Sequence, residues 1–272
     1  MTENKQIDLD KFTVIVRGGG DLATGISWRL YHCGFKVLVT EVAQPLSIRR
    51  KVSFSEAVYE GWTVVEGVEA RLIEDTREAP LLWNKGIVPV MVDPTCKSRE
   101  TLKPDVVVDA IMAKKNLGTS INHAPLVIAI GPGFETGKDA HYVVETKRGH
   151  YLGRLIVKGS AAPNTGTPGK IMGYGSERVI RAPIAGQVHN LKEIGDKVSQ
   201  GEIICKVGGQ EVKAAIGGVI RGLIRTGISV PQGLKIGDID PRGEVDHCFT
   251  ISEKALAVGG GVLEGILRKF ST

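Results

Sequence analysis

The stretch Thr13–Glu41, TVIVRGGGDLATGISWRLYHCGFKVLVTE, decides the fold class. It opens with a short apolar strand, TVIV, and turns through three glycines, Gly18–Gly20. The next run, ISWRLYHCG, places its apolar residues at helical spacing and stops at Gly34, and KVLVTE reads as a second strand. Strand, glycine turn, helix and strand within about 30 residues have the size and order of a βαβ unit.

The turn itself, GGGDLA, fits G-x-G-x-x-A and lies between a strand and a helix, where a dinucleotide-binding turn belongs. Glycine suits it because the backbone must turn sharply and come close to a pyrophosphate, whose charge the helix N–H groups would meet. Gly18, Gly19, Gly20, Asp21, Leu22 and Ala23 are therefore the candidate cofactor-binding residues. Glu41 joins them: it ends the second strand 23 residues after Gly18, where a carboxylate can accept hydrogen bonds from a ribose diol. Asp21 sets a negative charge beside the expected phosphates. The competing reading is a doubly wound domain whose glycine turn is purely structural.

Further along, SFSEAVYEG reads as a short helix, GIVPVMVDP as a strand stopped by Pro94, and KPDVVVDAIMA as a continuous apolar strand buried on both faces of a parallel sheet. Lys114 and Lys115 follow that strand at its carboxyl end, the side on which open α/β sheets bind ligands. IGPGF is a second glycine turn, in which the amides around Gly131 and Gly133 could form an anion-binding nest. Cys96 is the best thiol candidate, with Lys97 beside it. His123, His141 and His150 lack metal-ligand spacing, so no metal is expected.

Composition narrows the function classes. Thirty-five glycines against 5% aromatics suit a turn-rich α/β chain. The formal charge of +5 is dispersed among acids, which argues against nucleic acid as a partner. Four widely spaced cysteines form no Cys-x-x-Cys pair. The start MTENKQIDLDKF is polar, and no segment approaches the roughly 20 apolar residues of a membrane span. A cytoplasmic protein with no membrane partner is the expectation.

The tail contains an ungapped repeat. At an offset of 32 residues, RAPIAGQVHNLKEIGDKVSQGEIICKV (Arg181–Val207) falls on KAAIGGVIRGLIRTGISVPQGLKIGDI (Lys213–Ile239), with Gly186 on Gly218, Gly195 on Gly227 and Gln200-Gly201 on Gln232-Gly233. Two such halves, joined at Gly208-Gly209-Gln210, should close a small quasi-twofold sandwich of the biotinyl/lipoyl-carrier kind. No lysine stands at the joining hairpin, and Lys213 sits at a strand start, so neither biotin nor lipoate is expected. The tail would then serve packing, docking or homo-oligomer formation.

The fold class expected is thus α/β, a Rossmann-like doubly wound sheet followed by a β-rich barrel-sandwich domain and a C-terminal helix. Residues 1–135 form the cofactor-binding domain and 136–177 a β/Gly-Pro-rich connector, in which HYVVET and YLGRLIVKG read as strand-like runs that leave the sheet. Residues 178–245 form the carrier-like domain, and 246–272 a helix packing back on the first.

The segments RGGGDLATG, LKPDVVVDAIMAKKNLGT, APLVIAIGPGF, HYVVETKRGHYLGR and PNTGTPG, ahead of that tail, resemble the YqeB-type accessory proteins of selenium-dependent molybdenum hydroxylases. The resemblance covers nearly the whole chain. It implies a maturation role related to that of xanthine dehydrogenase accessory factors, with molybdenum cofactor as ligand and a hydroxylase apoenzyme as partner. In its dinucleotide form that cofactor carries a pyrophosphate resembling that of NAD. Two other classes remain open: an NAD-dependent oxidoreductase and a noncatalytic docking scaffold.

Overall fold

A computed structural model describes residues 8–271; Met1–Ile7 of the polar start and Thr272 lie outside the described residues. The chain divides into two compact units. One comprises the residues up to Pro45, Phe54–Asn164 and the residues from Ile251 on; the other comprises Leu46–Ser53 and Thr165–Thr250. Among the described residues no helix is long and apolar enough to cross a membrane.

The first unit is built on β1 (Thr13–Arg17), α1 (Asp21–His32) and β2 (Lys36–Glu41). They are followed by α2 (Ala57–Glu60), β3 (Trp62–Val65), β4 (Val68–Ile73), α3 (Ala79–Trp83), β5 (Val88–Val92) and α4 (Ser98–Leu102). β6 (Val106–Asp109), β7 (Leu126–Ile130), β8 (Tyr142–Val144), β9 (Leu155–Ile156) and the last helix, α5 (Glu253–Phe270), complete it. The strands form one sheet in the order β3-β4-β5-β2-β1-β6-β7-β8-β9. Val14, Ile15 and Val16 of β1 and Val106, Val107 and Val108 of β6 are wholly buried, which is why both strands read as unbroken apolar runs. β1 pairs in parallel with β2 on one side and β6 on the other. The winding direction reverses there, at the carboxyl ends of β1 and β6, the position at which open α/β sheets bind ligands.

This sheet departs from the doubly wound one expected. It is mixed, with β3 antiparallel to β4 and β9 antiparallel to β8. It is also incompletely wound. α1, with 12 residues, is a full crossover helix, whereas α2, α3 and α4 have four or five residues. Only the 11 residues 131–141 separate the parallel β7 and β8, and Gly131, Gly133 and Gly137 all take positive φ there, so no helix forms. The C-terminal helix takes the vacant place, lying on α1 and against β7, β8 and β9.

The glycines of α5 make that placement possible. A Cβ on Gly261 would land on the Gly153 carbonyl oxygen, and one on Gly259 would come within 3.2 Å of the Gly25 carbonyl oxygen. On α1, a Cβ at Gly25 would sit 2.6 Å from the Ala255 Cβ. Gly260, between them, faces open space apart from Arg29 Nη1 at 3.9 Å.

The second unit holds β10 (Val179–Arg181), β11 (Gly186–Asn190), β12 (Lys197–Val198) and β13 (Ile203–Val207). β14 (Gln210–Lys213), β15 (Gly218–Leu223), β16 (Ser229–Val230) and β17 (Lys235–Asp240) follow. Moving β10–β13 forward by the 32-residue repeat lands them on β14–β17. The strands form two four-stranded antiparallel sheets, β10-β17-β15-β12 and β14-β13-β11-β16, and the repeat converts one order into the other. Leu46–Ser53 joins this unit through the Leu223 amide, which donates to the Ile48 carbonyl (2.9 Å), and through Arg50 Nε, which donates to the Leu223 carbonyl (2.7 Å). This strand order overturns the carrier-like barrel-sandwich expected for the tail: the halves exchange strands into a pair of discrete sheets. The joint between them is a two-residue turn, Gly208-Gly209, closed by Val207 opposite Gln210, with no projecting arm.

The glycine contacts give a paired expectation for urea unfolding. Gly260→Ala should stabilise by about 0.5–1 kcal/mol, because it raises helix propensity at an open position. Gly261→Ala should destabilise by about 1–3 kcal/mol, because the packed Gly153 backbone must move.

Candidate functional site at the carboxyl edge of the sheet

The site starts at the end of β1. Gly18 takes φ +96°, its amide donates to the Thr40 carbonyl (2.7 Å), and a Cβ there would stand 3.0 Å from the Ala110 carbonyl oxygen. Only glycine meets both conditions. The Gly19 amide donates to Glu41 Oε1 (2.8 Å), while its carbonyl accepts the Ser55 amide (2.9 Å) and the Thr24 hydroxyl (3.1 Å). A Cβ on Gly19 would meet the Ser55 nitrogen at 2.9 Å. The first two glycines are therefore explained by the protein's own backbone. Gly20 differs: it is the N-cap of α1, in extended conformation at φ −68°, and offers no side-chain cap to the first helical turn. Asp21 opens the helix, whereas Leu22 and Ala23 are buried and face the interior.

Glu41 serves the turn. Its second oxygen accepts the Val42 amide (2.7 Å), so the carboxylate ties the end of β2 to the glycine loop. Burial raises its pKa, and the two amide bonds partly offset that rise. One acceptor site remains on each oxygen.

Beneath the turn lies a buried ion pair. Arg17 Nη1 donates to Asp109 Oδ2 (3.3 Å) across the β1–β6 junction, and the two side chains are each 2% exposed. The same Nη1 bonds the Thr119 hydroxyl, which in turn donates to Asp109 Oδ2 (2.5 Å). Nη2 reaches the carbonyls of Pro94 (3.1 Å) and Leu117 (3.4 Å), and the Ile111 amide donates to Asp109 Oδ1 (3.2 Å). Arg17 Nε is buried without a partner. Three chain segments, at Pro94, at Asp109 and at Leu117–Thr119, are fixed by one guanidinium.

The loop after β6 runs over this pair. Met112 and Lys114 both adopt φ +63°, unusual for residues with a Cβ. Asn116 holds the loop by donating to the Thr119 carbonyl (2.8 Å) and to Asp139 Oδ1 (3.1 Å). The turn after β7 packs against it. A Cβ on Gly133 would sit 2.8 Å from the Lys114 carbonyl carbon, and one on Gly131 2.7 Å from Thr146 Oγ1 and 3.5 Å from Met112 Cε. Gly18–Gly20 with Glu41, the Lys114 loop, and Gly131 with Gly133 thus lie along one sheet edge. The Lys114 side chain is exposed.

Other residues singled out in the sequence have structural employment. Cys96 is 0% exposed, and burial pushes its thiol up to about 11, which leaves no thiolate at neutral pH. His141 Nδ1 accepts the Val127 amide (3.0 Å) and His123 Nδ1 the Ser120 amide (3.4 Å); burial lowers the pKa of both rings. Among the described residues no group of three or more His, Cys, Asp or Glu side chains is placed to hold a metal ion. Lys213 closes β14 instead of starting a strand as expected, and its Nζ stands 3.7 Å from Glu211 Oε2. Arg17, Asp109 and Thr119 belong to no motif in the sequence; the available signal is an arginine and an aspartate, each closing an otherwise apolar strand.

No protein-family model matches the chain. It is 52% identical over 254 residues, 93% of its length, to the uncharacterized protein YqeB of Escherichia coli K12. Over that span the chain is similar to YqeB. It spans about half the length of that relative, 47%. Solved structures with a distant likeness include TcdA (CsdL), at TM-score 0.34 and 13% identity over 96% of this chain and 88% of that one. An aspartoacylase family protein from Mesorhizobium loti shows TM-score 0.26 and 10% identity over 84% of each chain. The ectoine utilization protein EutE (DoeB) from Ruegeria pomeroyi, in its product-bound structure, shows TM-score 0.25 and 9% identity, again over 84% of each. At these scores the likeness carries no argument about fold or activity.

Arg17→Met should cost about 3–5 kcal/mol in urea unfolding, since it leaves Asp109 charged, buried and short of its main partner. Adding Asp109→Asn should restore part of that loss. A strictly additive double variant would show that the pair does not act as one unit.

Proposed function

We propose that the chain is an accessory protein for the maturation of selenium-dependent molybdenum hydroxylases, and that it binds molybdenum cofactor in its dinucleotide form at the Gly18–Gly20 turn. The observation that carries the binding half of this reading is the place of the turn: it enters α1 at the β1–β6 reversal, with the first helical turn uncapped by any side chain of Gly20. The maturation half rests on the family resemblance.

The residues present fit such a group. The amides at the start of α1 would face the pyrophosphate, and the remaining acceptor sites of Glu41 would take a ribose diol. When bound, the cofactor would supply the molybdenum centre for the hydroxylase; the chain's own part is to hold and orient the nucleotide end. The apoenzyme and a second copy of the chain are the partners this role calls for. Because the chain spans about half of its relative, the activity of any longer protein belongs to the same proposal.

Gly20→Val tests the reading without backbone strain, because φ −68° with extended ψ suits valine. Native mass spectrometry of protein from its own host, grown with molybdate and selenite, should show a ligand of dinucleotide mass on the wild type and none on Gly20→Val, with unfolding midpoints unchanged. A wild type free of any nucleotide, or equal loading of both proteins, contradicts the reading.

A further inference from the structure

The strands that end a sheet are not equally guarded. β9 has two residues, β10, β12 and β16 have two or three, and β14 carries Glu211 and Lys213. Short length and charge are the usual means of keeping a free edge from pairing with another chain. β3, at one end of the nine-stranded sheet, has neither: its four residues, WTVV, include no charge and no proline. Trp62 is 57% exposed and Val64 47%.

The register shows what this edge offers. A two-residue turn, Glu66-Gly67, with positive φ at both positions, joins β3 to β4 and closes on Val65 opposite Val68. The Leu72 amide donates to the Gly61 carbonyl (2.8 Å), so Gly61, Thr63 and Val65 are the residues that bond β4. Trp62 and Val64 alternate with them, and their amides and carbonyls point away from β4 to the open edge. Among the described residues no strand takes these groups up. On the face that carries the Trp62 and Val64 side chains, Arg71 stands opposite Trp62 and Glu69 opposite Val64.

A second copy of the same edge satisfies all of these groups. An antiparallel copy with Thr63 facing Thr63 sets Trp62 opposite Val64 of the copy and Val64 opposite its Trp62. Four N–H···O bonds then close across the edge. A shift of two residues either way would face one of the pair with Glu60, in α2, or Glu66, in the turn, so this register alone keeps both within the strand. It also matches an aromatic with a β-branched side chain on each side of the dyad. Across the two copies each row on that face runs Arg71, Trp62, Val64, Glu69, with opposite charges at its ends and none at the joint.

We propose that the β3 edge is a self-association surface, at which two copies of the chain pair Trp62–Val65 antiparallel about Thr63 and continue the sheet from one copy into the other. This does not depend on the ligand reading above; it gives a place to the second copy named there as a partner. A joint of four strand residues buries less than the roughly 1,200–2,000 Å² of a stable complex. Association is therefore weak and reversible, with a dissociation constant on the order of 10–100 μM.

Sedimentation equilibrium of the full chain, over a concentration series that brackets this constant, tests the proposal. The wild type should pass from monomer to dimer. Trp62→Glu and Val64→Lys, each alone, should weaken the dimer about tenfold or more through loss of the Trp62–Val64 contact. Their unfolding midpoints should match the wild type, because each new charge faces its opposite on β4, Arg71 or Glu69. Mixed in equal amounts, the two variants should form a heterodimer tighter than either variant's own dimer, since the register sets one new charge against the other. Amide exchange at Trp62 and Val64 should slow as concentration rises. A wild type that stays monomeric throughout, a dimer that both variants leave intact, or a mixture no tighter than the separate variants overturns the proposal. None of these outcomes bears on the Gly18–Gly20 turn.

Discussion

The Arg17–Asp109 ion pair joins strands that are neighbours in space and 92 residues apart in the chain. A buried pair of this kind gains little unless its remaining hydrogen-bonding groups are satisfied, because both charges leave water. Here Thr119, Pro94, Leu117 and Ile111 supply most of that satisfaction, and they come from the loops that follow β5 and β6. The pair thereby converts its desolvation cost into positional constraint. With β1 and β6 tied at their carboxyl ends, Gly18 must turn against Ala110, and the left-handed residues Met112 and Lys114 are held where an unrestrained loop would relax.

A second constraint comes from the glycines between α1 and α5. Backbone meets backbone at Gly25, Gly153, Gly259 and Gly261, so the register of α5 is set by close approach instead of by large side chains. That register decides where the first turn of α5 ends up. Because the two helices are parallel, with Gly25 on Ala255 and Arg29 on Gly259, the element that covers the face left bare by the short β7–β8 connection has its own first turn at the carboxyl edge.

The local parts of this arrangement are legible in the sequence. β1, α1 and β2 follow the period changes from Thr13 to Glu41, and the 32-residue repeat corresponds strand for strand to β10–β17. What the periodicity hides is set by distant packing. β8 and β9 fall within HYVVET and YLGRLIVKG, which read as strand-like runs of a connector leaving the sheet, whereas here they extend it. The missing crossover helices, the exchange of strands between the tail's two sheets and the return of α5 depend on partners far away in sequence. At the site, glycine-turn residues could be named from their spacing, but Arg17, Asp109 and Thr119 have no local pattern. The same structure shows that Gly18 and Gly19 are required by Ala110, Ser55 and Glu41, so a glycine motif by itself reports a tight turn before it reports a ligand.

The first unit offers one sheet edge that carries an uncapped helix start, a carboxylate with spare acceptors and two glycine turns on a frame fixed by a buried ion pair. The central claim is that this edge is where the chain binds its ligand. Amide hydrogen exchange with and without saturating NAD measures it most directly, since it reports every backbone segment at once. The account predicts slowed exchange in residues 18–24 and 110–119, with the second unit unchanged. Protection confined to residues 165–250, or none at all at saturation, would contradict it.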